Sequence, residues 1–310
     1  MTATAITQVD SEIRAALDRV GADVSLHVRS LDDDREYGLE PDKTSVTASV
    51  YKIAVMLEVA CQAVEGDLSL TQRVRIPADD ERQGNGVSGT KDDVDMSVRD
   101  LALLMMQVSD NTATDTLQAI VGTDRINARL QSLGLTQTVV RTDCAGLIAG
   151  ITADLAGGEV DLSSTDYHDG DPLGIGPERM AAAIAASPAL AGKTGNTSTA
   201  RDITSLLQLI WTDKAGPAEA CAEVRRIMAQ QFAPHRLSTA YLDGPSIAAK
   251  TGTLWGGVRN EVGVFDFHNG ERYAVAVFLR QHDHALRNGA ADAVIGEVAR
   301  LGIDHLRALR

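Results

Sequence analysis

The sequence is short of aromatic residues and of positive charge. Phe, Trp and Tyr together make up 4% of its 310 residues, too few for a surface on which nucleic-acid bases stack. Its 43 acidic and 29 basic side chains give a formal net charge of −14, and this charge would repel a polyphosphate chain. We therefore expect no nucleic-acid partner.

Long apolar runs and paired cysteines are also missing. No stretch approaches the roughly 18 consecutive apolar residues of a membrane span. The three cysteines, Cys61, Cys144 and Cys221, are odd in number and far apart, which argues against a disulfide framework and a cysteine metal site. Residues 1–10 have neither the basic nor the apolar region of a secretory signal. The sequence thus predicts a reduced, cytoplasmic, monomeric protein with no membrane contact, metal or cofactor. A mature secreted form from which the signal had been removed would have the same features.

Strand patterns occur near both ends of the chain. Residues 24–31 alternate between apolar and polar side chains, which is typical of a half-buried strand. Residues 246–251, 261–267 and 272–279 are late runs rich in strand-forming residues. An Asn269-Gly270 pair between the last two runs predicts a tight hairpin turn.

Helical patterns fill the middle. A helix buried on most sides is predicted from Ser49 to about residue 64, and amphipathic patterns predict terminal helices at residues 8–20 and 290–309. Further helices are predicted at residues 97–108, 112–121, 124–133, 177–187 and 201–212. The Gly- and Asp-rich residues 150–176 have no periodicity and are interpreted as a long surface loop.

This order of elements predicts an α+β fold. An antiparallel five-stranded sheet would be assembled from both termini and flanked by helices, with an all-helical part inserted between its strands. We expect residues 1–48 and 240–310 to form the α/β subdomain and residues 49–239 the mainly helical subdomain. The active site would lie at their junction.

The first chemical signal is Ser49-Val-Tyr-Lys52, at the start of the buried helix. Residues three apart on a helix share a face, so the Lys52 amine is expected to reach the Ser49 hydroxyl. A lysine whose pKa is lowered by burial can remove the serine proton and make the oxygen nucleophilic. The helix N-terminus also supplies free N–H groups where an oxyanion would form.

Two further motifs follow in order. Ser109-Asp-Asn111 lies between two predicted helices, where a loop can present a hydroxyl and an amide to a cleft. Lys250-Thr-Gly252 lies on a late strand, and its glycine allows a ligand to approach the strand backbone closely. Competing copies of the first and third motifs occur at residues 88–91 and 193–195, but neither has the helix or strand context that the chemistry needs.

The three motifs in this order resemble those of the class A β-lactamase family and its penicillin-binding relatives. The resemblance covers most of the chain and extends to residues 96–101, 130–135 and 196–202. It implies an α+β fold of the β-lactamase type and a serine acyl-transfer reaction, with a small β-lactam-like amide or ester as substrate. The catalytic residues that it implies are Ser49, Lys52, Ser109 and Lys250.

By the same resemblance Ser49 would be acylated with Lys52 as base, and Ser109 would relay the proton to the leaving nitrogen. An oxyanion hole would form from the backbone N–H groups of Ser49 and Thr253. The substrate-binding residues implied are Asn111 for the side-chain amide and, for the carboxylate side, Thr251, Gly252, Thr253 and Arg259.

One segment departs from the hydrolytic members of the family. Those members carry Glu-x-x-Leu-Asn about a dozen residues before a Thr-Ser-Thr run, and the glutamate activates the deacylating water. Here the corresponding residues 182–192 contain no acid. The nearest candidates lack the motif; they are Glu178 at the start of a helix and, in the loop, Glu159, Asp161, Asp166, Asp169 and Asp171. We therefore expect acylation rather than fast turnover; if turnover occurs, an acid within residues 159–178 or Lys52 would be the base.

Simpler interpretations exist for each motif. Ser49 could be only a helix N-cap, and residues 109–111 could be only cap chemistry. Lys250 and Arg259 could be solvated side chains on an edge strand. The agreement of three motifs in order and context favours the catalytic interpretation.

Two other features have weaker chemical signals. His282 and His284 have a spacing compatible with metal ligands, but no third ligand is identifiable and a surface loop is the preferred interpretation. Cys144 is placed in a loop, without a histidine partner that the sequence supports.

Three functions remain open from the sequence. The preferred one is a serine hydrolase acylated by a β-lactam or a related amide or ester. A cytoplasmic biosynthetic amidase or transacylase would use the same machinery on a different substrate. A penicillin-binding sensor would acylate once and keep the adduct, which the missing Glu-x-x-Leu-Asn segment favours.

Overall fold

The computed structural model describes residues 3–78, 84–157, 176–232, 235–241, 244–285 and 287–309. The strands are β1 Ala22–Ser30, β2 Glu36–Leu39, β3 Ser45–Val46, β4 Arg73–Ile76, β5 Val94–Ser97, β6 Thr197–Ser198, β7 Ser246–Leu254, β8 Val258–Asp266 and β9 Arg272–Gln281. The α-helices are α1 Ala3–Asp18, α2 Lys52–Glu65, α3 Val98–Gln107, α4 Asn111–Val121, α5 Thr123–Ser132, α6 Cys144–Ala156, α7 Pro177–Ala186, α8 Ala200–Trp211, α9 Ala218–Met228 and α10 Gly289–Ala308.

Five strands form one antiparallel sheet in the order β2-β1-β9-β8-β7. This confirms the predicted sheet built from both ends of the chain, since β1 lies directly beside β9. The hairpin between β8 and β9 turns at Gly270, whose φ of 87° suits the predicted Asn-Gly turn. Strand β7 is an edge strand, so one side of its backbone is available to other groups.

The middle strand β9 is buried on both faces, and its side chains alternate between two hydrophobic cores. Ala274, Ala276 and Phe278 pack in the core that contains α2. Tyr273 and Val275 pack on the opposite face with the terminal helices. This two-residue period is that of a pleated strand, and it explains why the run reads as continuously apolar.

Helices cover the sheet on both sides. The terminal helices α1 and α10 pack against each other and against β1. Helix α8 covers the other face at β1 and β9, and α9 joins it to α2. The helical layer therefore contacts the sheet directly. The subdomain boundaries at residues 48 and 240 stay a prediction.

Two helices were not predicted. Helix α6 occupies residues that the sequence analysis assigned partly to a loop, and α9 follows Pro217. Signals for α6 were present: Asp143 accepts a hydrogen bond from Gly146 N as its N-cap, and Leu147, Ile151 and Leu155 recur at helical spacing. Two glycines inside α6 obscured this pattern.

Residues 158–175, which hold the rest of the predicted loop, lie outside the described residues.

Candidate active site

Ser49 lies in a single 3-10 turn, Ala48–Tyr51, that leads into α2. Its side chain is partly exposed and lines a cavity of about 350 Å³ together with Asn111 and Thr253. The N-cap positions of the turn and of α2 are held by Thr47 and Tyr51, neither with a side-chain capping bond. The simpler interpretation of Ser49 as an N-cap is therefore wrong.

The turn that carries Ser49 is bound by a side chain from β8 and contains one unusual backbone conformation. Asn260 donates its side-chain N–H groups to the carbonyls of Val46 and Thr47, at 2.9 and 3.2 Å. Ala48, immediately before Ser49, has a φ of 48°, which a non-glycine residue adopts only when its surroundings require it. The nucleophile candidate is thus placed by backbone contacts that do not involve its own side chain.

Lys52 is fully buried at the first position of α2. Its Nζ donates to the carbonyl of Ser109 at 2.8 Å and to Oδ1 of Asn111 at 2.9 Å. It also lies 3.3 Å from Oγ of Ser109. The first two motifs therefore meet in space. The Ser49 hydroxyl itself makes no hydrogen bond within the described residues, so a direct Lys52–Ser49 bond stays a prediction.

The loop that presents Ser109 is fixed by the residue after it. Asp110 is fully buried and caps α4, accepting from Ala113 N at 3.0 Å. Its carboxylate also accepts from Val87 N at 2.6 Å and from Ser88 Oγ at 2.9 Å. Ser88 belongs to the rejected second copy of the first motif, and its hydroxyl serves this loop instead.

Lys250 completes the cluster from the edge strand β7. It is fully buried, and its Nζ donates to Oγ of Ser109 at 3.1 Å and to the carbonyl of Thr251 at 3.0 Å. The Ser109 hydroxyl therefore lies between the amines of Lys52 and Lys250. This arrangement forms a continuous hydrogen-bonded path from Lys52 through Ser109 to Lys250.

The third motif also brings β7 close to the nucleophile. A Cβ added to Gly252 would lie 2.8 Å from the carbonyl of Thr47 and 3.1 Å from the amide nitrogen of Ser49, so only glycine fits. The N–H of Thr251 donates to Gln231 at the free edge of the strand. Because residues two apart in a strand point the same way, the N–H of Thr253 faces that edge too. Ser49 and Thr253 line the same cavity, and an oxyanion hole formed by their N–H groups stays a prediction.

Arg259 is not directed at this cavity. It is buried and forms a two-pronged ion pair with Asp292, at 3.0 and 2.7 Å. A residue that the sequence analysis missed takes the position beside the motif: Arg236 donates to Oγ1 of Thr253 at 2.6 Å and to the carbonyl of Gly252 at 3.1 Å. Asp292 also accepts from Arg236 at 2.6 Å, so one carboxylate orients both guanidinium groups.

Arg236, and not Arg259, is therefore the guanidinium that contacts the third motif, and Arg259 lies behind it on Asp292. Nothing in the sequence indicated that Arg236 would contact the third motif, because Arg236 precedes the strand that it contacts and follows no motif.

Burial dominates the electrostatics of the cluster. It lowers the pKa of Lys52, although the nearby acidic groups oppose the shift. Burial also lowers the pKa of Lys250, and the charge of Lys52 lowers it further. Two amines that share one hydroxyl do not readily both carry a proton, which favours the neutral form of one of them.

Cys144 is a further residue of the cavity that the sequence placed in a loop. It is instead the buried first residue of α6, and its sulfur lies 3.2 Å from the Tyr51 hydroxyl. Burial raises the pKa of its thiol to about 11. The group is consequently a neutral thiol rather than a reactive thiolate.

The remaining weak signals have ordinary surroundings. His282 lies 3.1 Å from the carboxylate of Asp23 on the surface. Within the described ranges, no three metal-ligating side chains of His, Cys, Asp or Glu converge. Of the helices described here, none combines the length and the hydropathy of a membrane span.

Comparison with known proteins adds to this geometry. The beta-lactamase regulatory protein BlaB of Streptomyces cacaoi is 30% identical over 310 residues, covering 96% of each chain. The beta-lactamase from Sphaerobacter thermophilus DSM 20745 superposes with a TM-score of 0.72 at 23% identity over 97% of both chains. A mutant of PBP-A in an acyl-enzyme complex with penicillin G superposes with a TM-score of 0.74 at 20% identity, also over 97% of both.

These structural likenesses confirm the predicted β-lactamase-like α+β fold. A sequence model of the family described as "Beta-lactamase enzyme family" matches residues 8–306. With a match across nearly its whole length, the chain belongs to the beta-lactamase enzyme family.

Proposed function

We propose that this protein is a serine acyl-transfer enzyme whose Ser49 is acylated by a β-lactam or a related amide or ester. The observation that carries the proposal is the Ser109 hydroxyl, 3.3 Å from Lys52 Nζ and 3.1 Å from Lys250 Nζ, two residues before Asn111, which lines the same cavity as Ser49. A structural role alone would not require two buried amines around one hydroxyl, since burying them is costly.

The reaction uses these groups in order. Lys52, as a neutral amine, removes the Ser49 proton while Oγ of Ser49 forms a bond to the substrate carbonyl carbon. The N–H groups of Ser49 and Thr253 stabilise the resulting oxyanion, an effect of about 10²–10³ in rate for each donor. The carbon–nitrogen bond then breaks, and the proton passes from Lys52 through the Ser109 hydroxyl to the leaving nitrogen. The product is an ester of Ser49.

Hydrolysis of that ester needs a positioned water and a base. The described residues that line the cavity include no carboxylate, and Cys144 contributes only a neutral thiol. Glu178 is an exposed residue in the first turn of α7, and Glu159 lies outside the described residues. We therefore infer that the acyl-enzyme persists. Replacing each glutamate by glutamine distinguishes these acids from Lys52 as the base of any residual hydrolysis.

The expected persistence of the acyl-enzyme also supports a second function. A protein that acylates once and keeps the adduct can act as a sensor, and the relative from Streptomyces cacaoi carries the description of a regulatory protein. An amidase or transacylase acting on another acyl donor would share the chemistry but would turn over on that donor.

A chromogenic β-lactam separates these functions. We expect a burst of colour of about one equivalent per protein molecule, followed by slow release, because acylation has its machinery and deacylation lacks a described carboxylate. Intact mass recorded on the same sample would show the adduct. Continuous release would establish a hydrolase with fast turnover. The absence of both burst and adduct would contradict acylation by β-lactams.

The rate of the burst should rise with pH. Lys52 acts as a base only when neutral, and burial lowers its pKa below the ordinary lysine value, so the rise should end at a lower pH than for an exposed lysine. Because the folded protein releases this proton before the unfolded chain does, stability should rise with pH from the lowered pKa of Lys52 in the folded protein up to the ordinary lysine pKa of the unfolded chain, and level off above it. Stopped-flow burst rates and thermal unfolding across pH measure both; a pH-independent burst rate would contradict the role of Lys52.

A further inference from the structure

A second cavity adjoins the turn that carries Ser49. It measures about 220 Å³ and lies between β3, the start of β8, the end of β9 and the segment after α7. Among the described residues, its lining shares none with the catalytic cavity, which extends to Trp255, whereas this one includes Val258 beyond the turn after β7. Val46 and Asn260 line it, and the hydrogen bond between them helps to position the Ser49 turn. Two separate cavities therefore adjoin that turn.

One wall of this second cavity carries a guanidinium group that has no carboxylate partner among the described residues. Arg280, at the end of β9, is partly buried, and its described hydrogen bond goes to the carbonyl of Leu190 at 3.2 Å. Its cross-strand neighbour on β1, Asp23, pairs instead with His282 at 3.1 Å. Burial alone lowers the pKa of the Arg280 guanidinium. A ligand that brings a negative charge to this wall would offset part of the lost hydration.

The other charges limit how much negative charge the second cavity accepts. Lys43 also lines it, but its amine is already paired with Glu40 at 3.0 Å. The carboxylate of Asp23 is exposed at the same cavity and would repel a second negative charge. One guanidinium is thus available for one anionic group. A carboxylate matches it, because the planar guanidinium can donate two parallel hydrogen bonds to the two carboxylate oxygens.

Much of the remaining lining is apolar and already in place. Val46, Leu190, Val258 and Phe278 line the second cavity, and each is more than nine-tenths buried. Side chains packed this closely lose little freedom when a ligand binds, and an aryl or alkyl body would bury apolar surface against them. The volume of about 220 Å³ is below that of pockets for drug-sized ligands, which begin at about 300 Å³. The ligand is therefore small.

We propose that the second cavity binds a small organic monoanion, a carboxylate on an aryl or alkyl body, with Arg280 on the carboxylate. Inorganic phosphate fits less well, because it has no apolar body and carries more than one negative charge beside Asp23. The proposal is independent of the acylation of Ser49 and adds a second ligand to the protein. Asn260 lines the cavity and also donates to the carbonyl of Thr47. The ligand thus lies against a group that positions the nucleophile, without entering the catalytic cavity.

4-Bromobenzoate and 4-bromobenzamide test the requirement for charge, since they have nearly the same shape. Calorimetry with the natural protein should show that the benzoate binds at least about tenfold more tightly than the amide, as expected for hydrogen bonds to a charged group. Arg280→Gln should remove this difference. Arg287→Gln is the matched control: it changes an exposed arginine of the catalytic cavity and should leave the difference unchanged. Inorganic phosphate at the same concentration should not displace the benzoate.

The bromine atom locates the ligand without any variant, which keeps the test valid if Arg280→Gln does not fold. In a crystal of the natural protein soaked with 4-bromobenzoate, the anomalous signal of bromine should lie beside Phe278, with the carboxylate on Arg280. Equal affinity of the natural protein for the two probes, or no binding of the benzoate, would overturn the proposal. So would a preference for the benzoate that persists in folded Arg280→Gln, or bromine found in the catalytic cavity alone. Displacement of the benzoate by phosphate would contradict the proposed ligand class.

Discussion

Ser49→Ala is expected to remove the covalent adduct completely. With penicillin G, the natural protein should gain the full mass of the β-lactam, because opening the ring leaves the nitrogen attached to the acyl group. The variant should keep its own mass, since no oxygen remains at the position where the acyl ester forms. Intact mass spectrometry measures both on the same time scale.

A matched control is available in Ser132, an exposed serine at the end of α5. Ser132→Ala should form the adduct at the rate of the natural protein. Thermal unfolding of Ser49→Ala should resemble that of the natural protein, because the turn is held by Asn260 rather than by the Ser49 hydroxyl. An adduct that survives in Ser49→Ala would contradict the assignment of the nucleophile.

Lys52→Met is expected to slow acylation while making the protein more stable. Loss of a general base lowers the rate by about 10²–10⁴-fold. The Lys52 amine is fully buried, and its described hydrogen bonds go to neutral oxygens of residues 109–111. Because the buried amine carries a desolvation cost and forms no ion pair within the described residues, we expect its replacement to raise the free energy of unfolding. Burst kinetics and chemical denaturation test the two effects separately.

Slower acylation together with higher stability distinguishes a catalytic role of Lys52 from a structural one. A lysine that served mainly to hold the loop at Ser109 would destabilise the fold when removed. Lys43→Met, at an exposed lysine paired with Glu40, is the control and should change neither the burst rate nor the stability appreciably. Unchanged acylation in Lys52→Met would contradict its assignment as the base.

Much of the fold could be predicted because local patterns and tertiary burial agree. Strand β9 reads as a continuous apolar run, since it is buried on both faces, and the Asn269-Gly270 turn fixes its pairing with β8. Most predicted helices match within a few residues for the same reason. Helix α6 was missed because Gly146 and Gly150 suggested a loop, whereas packing of Leu147 and Ile151 stabilises the helix.

The motifs of the candidate site could be selected from competing copies by their context alone. The structure places Ser109 between Lys52 and Lys250, while Ser88 supports the neighbouring loop. What the sequence could not provide were side chains that reach the site from elsewhere. Arg236 and Trp255 belong to no motif, and their contacts with the site depend on how distant segments pack.

The most direct test of the account is the position of the acyl group itself. After brief reaction with penicillin G, the protein would be digested and its modified peptide sequenced by mass spectrometry. We predict a single modified residue, Ser49, with the modification persisting for many times the duration of the burst. Modification at Cys144 or at another serine, or no modification at all, would contradict the catalytic assignment.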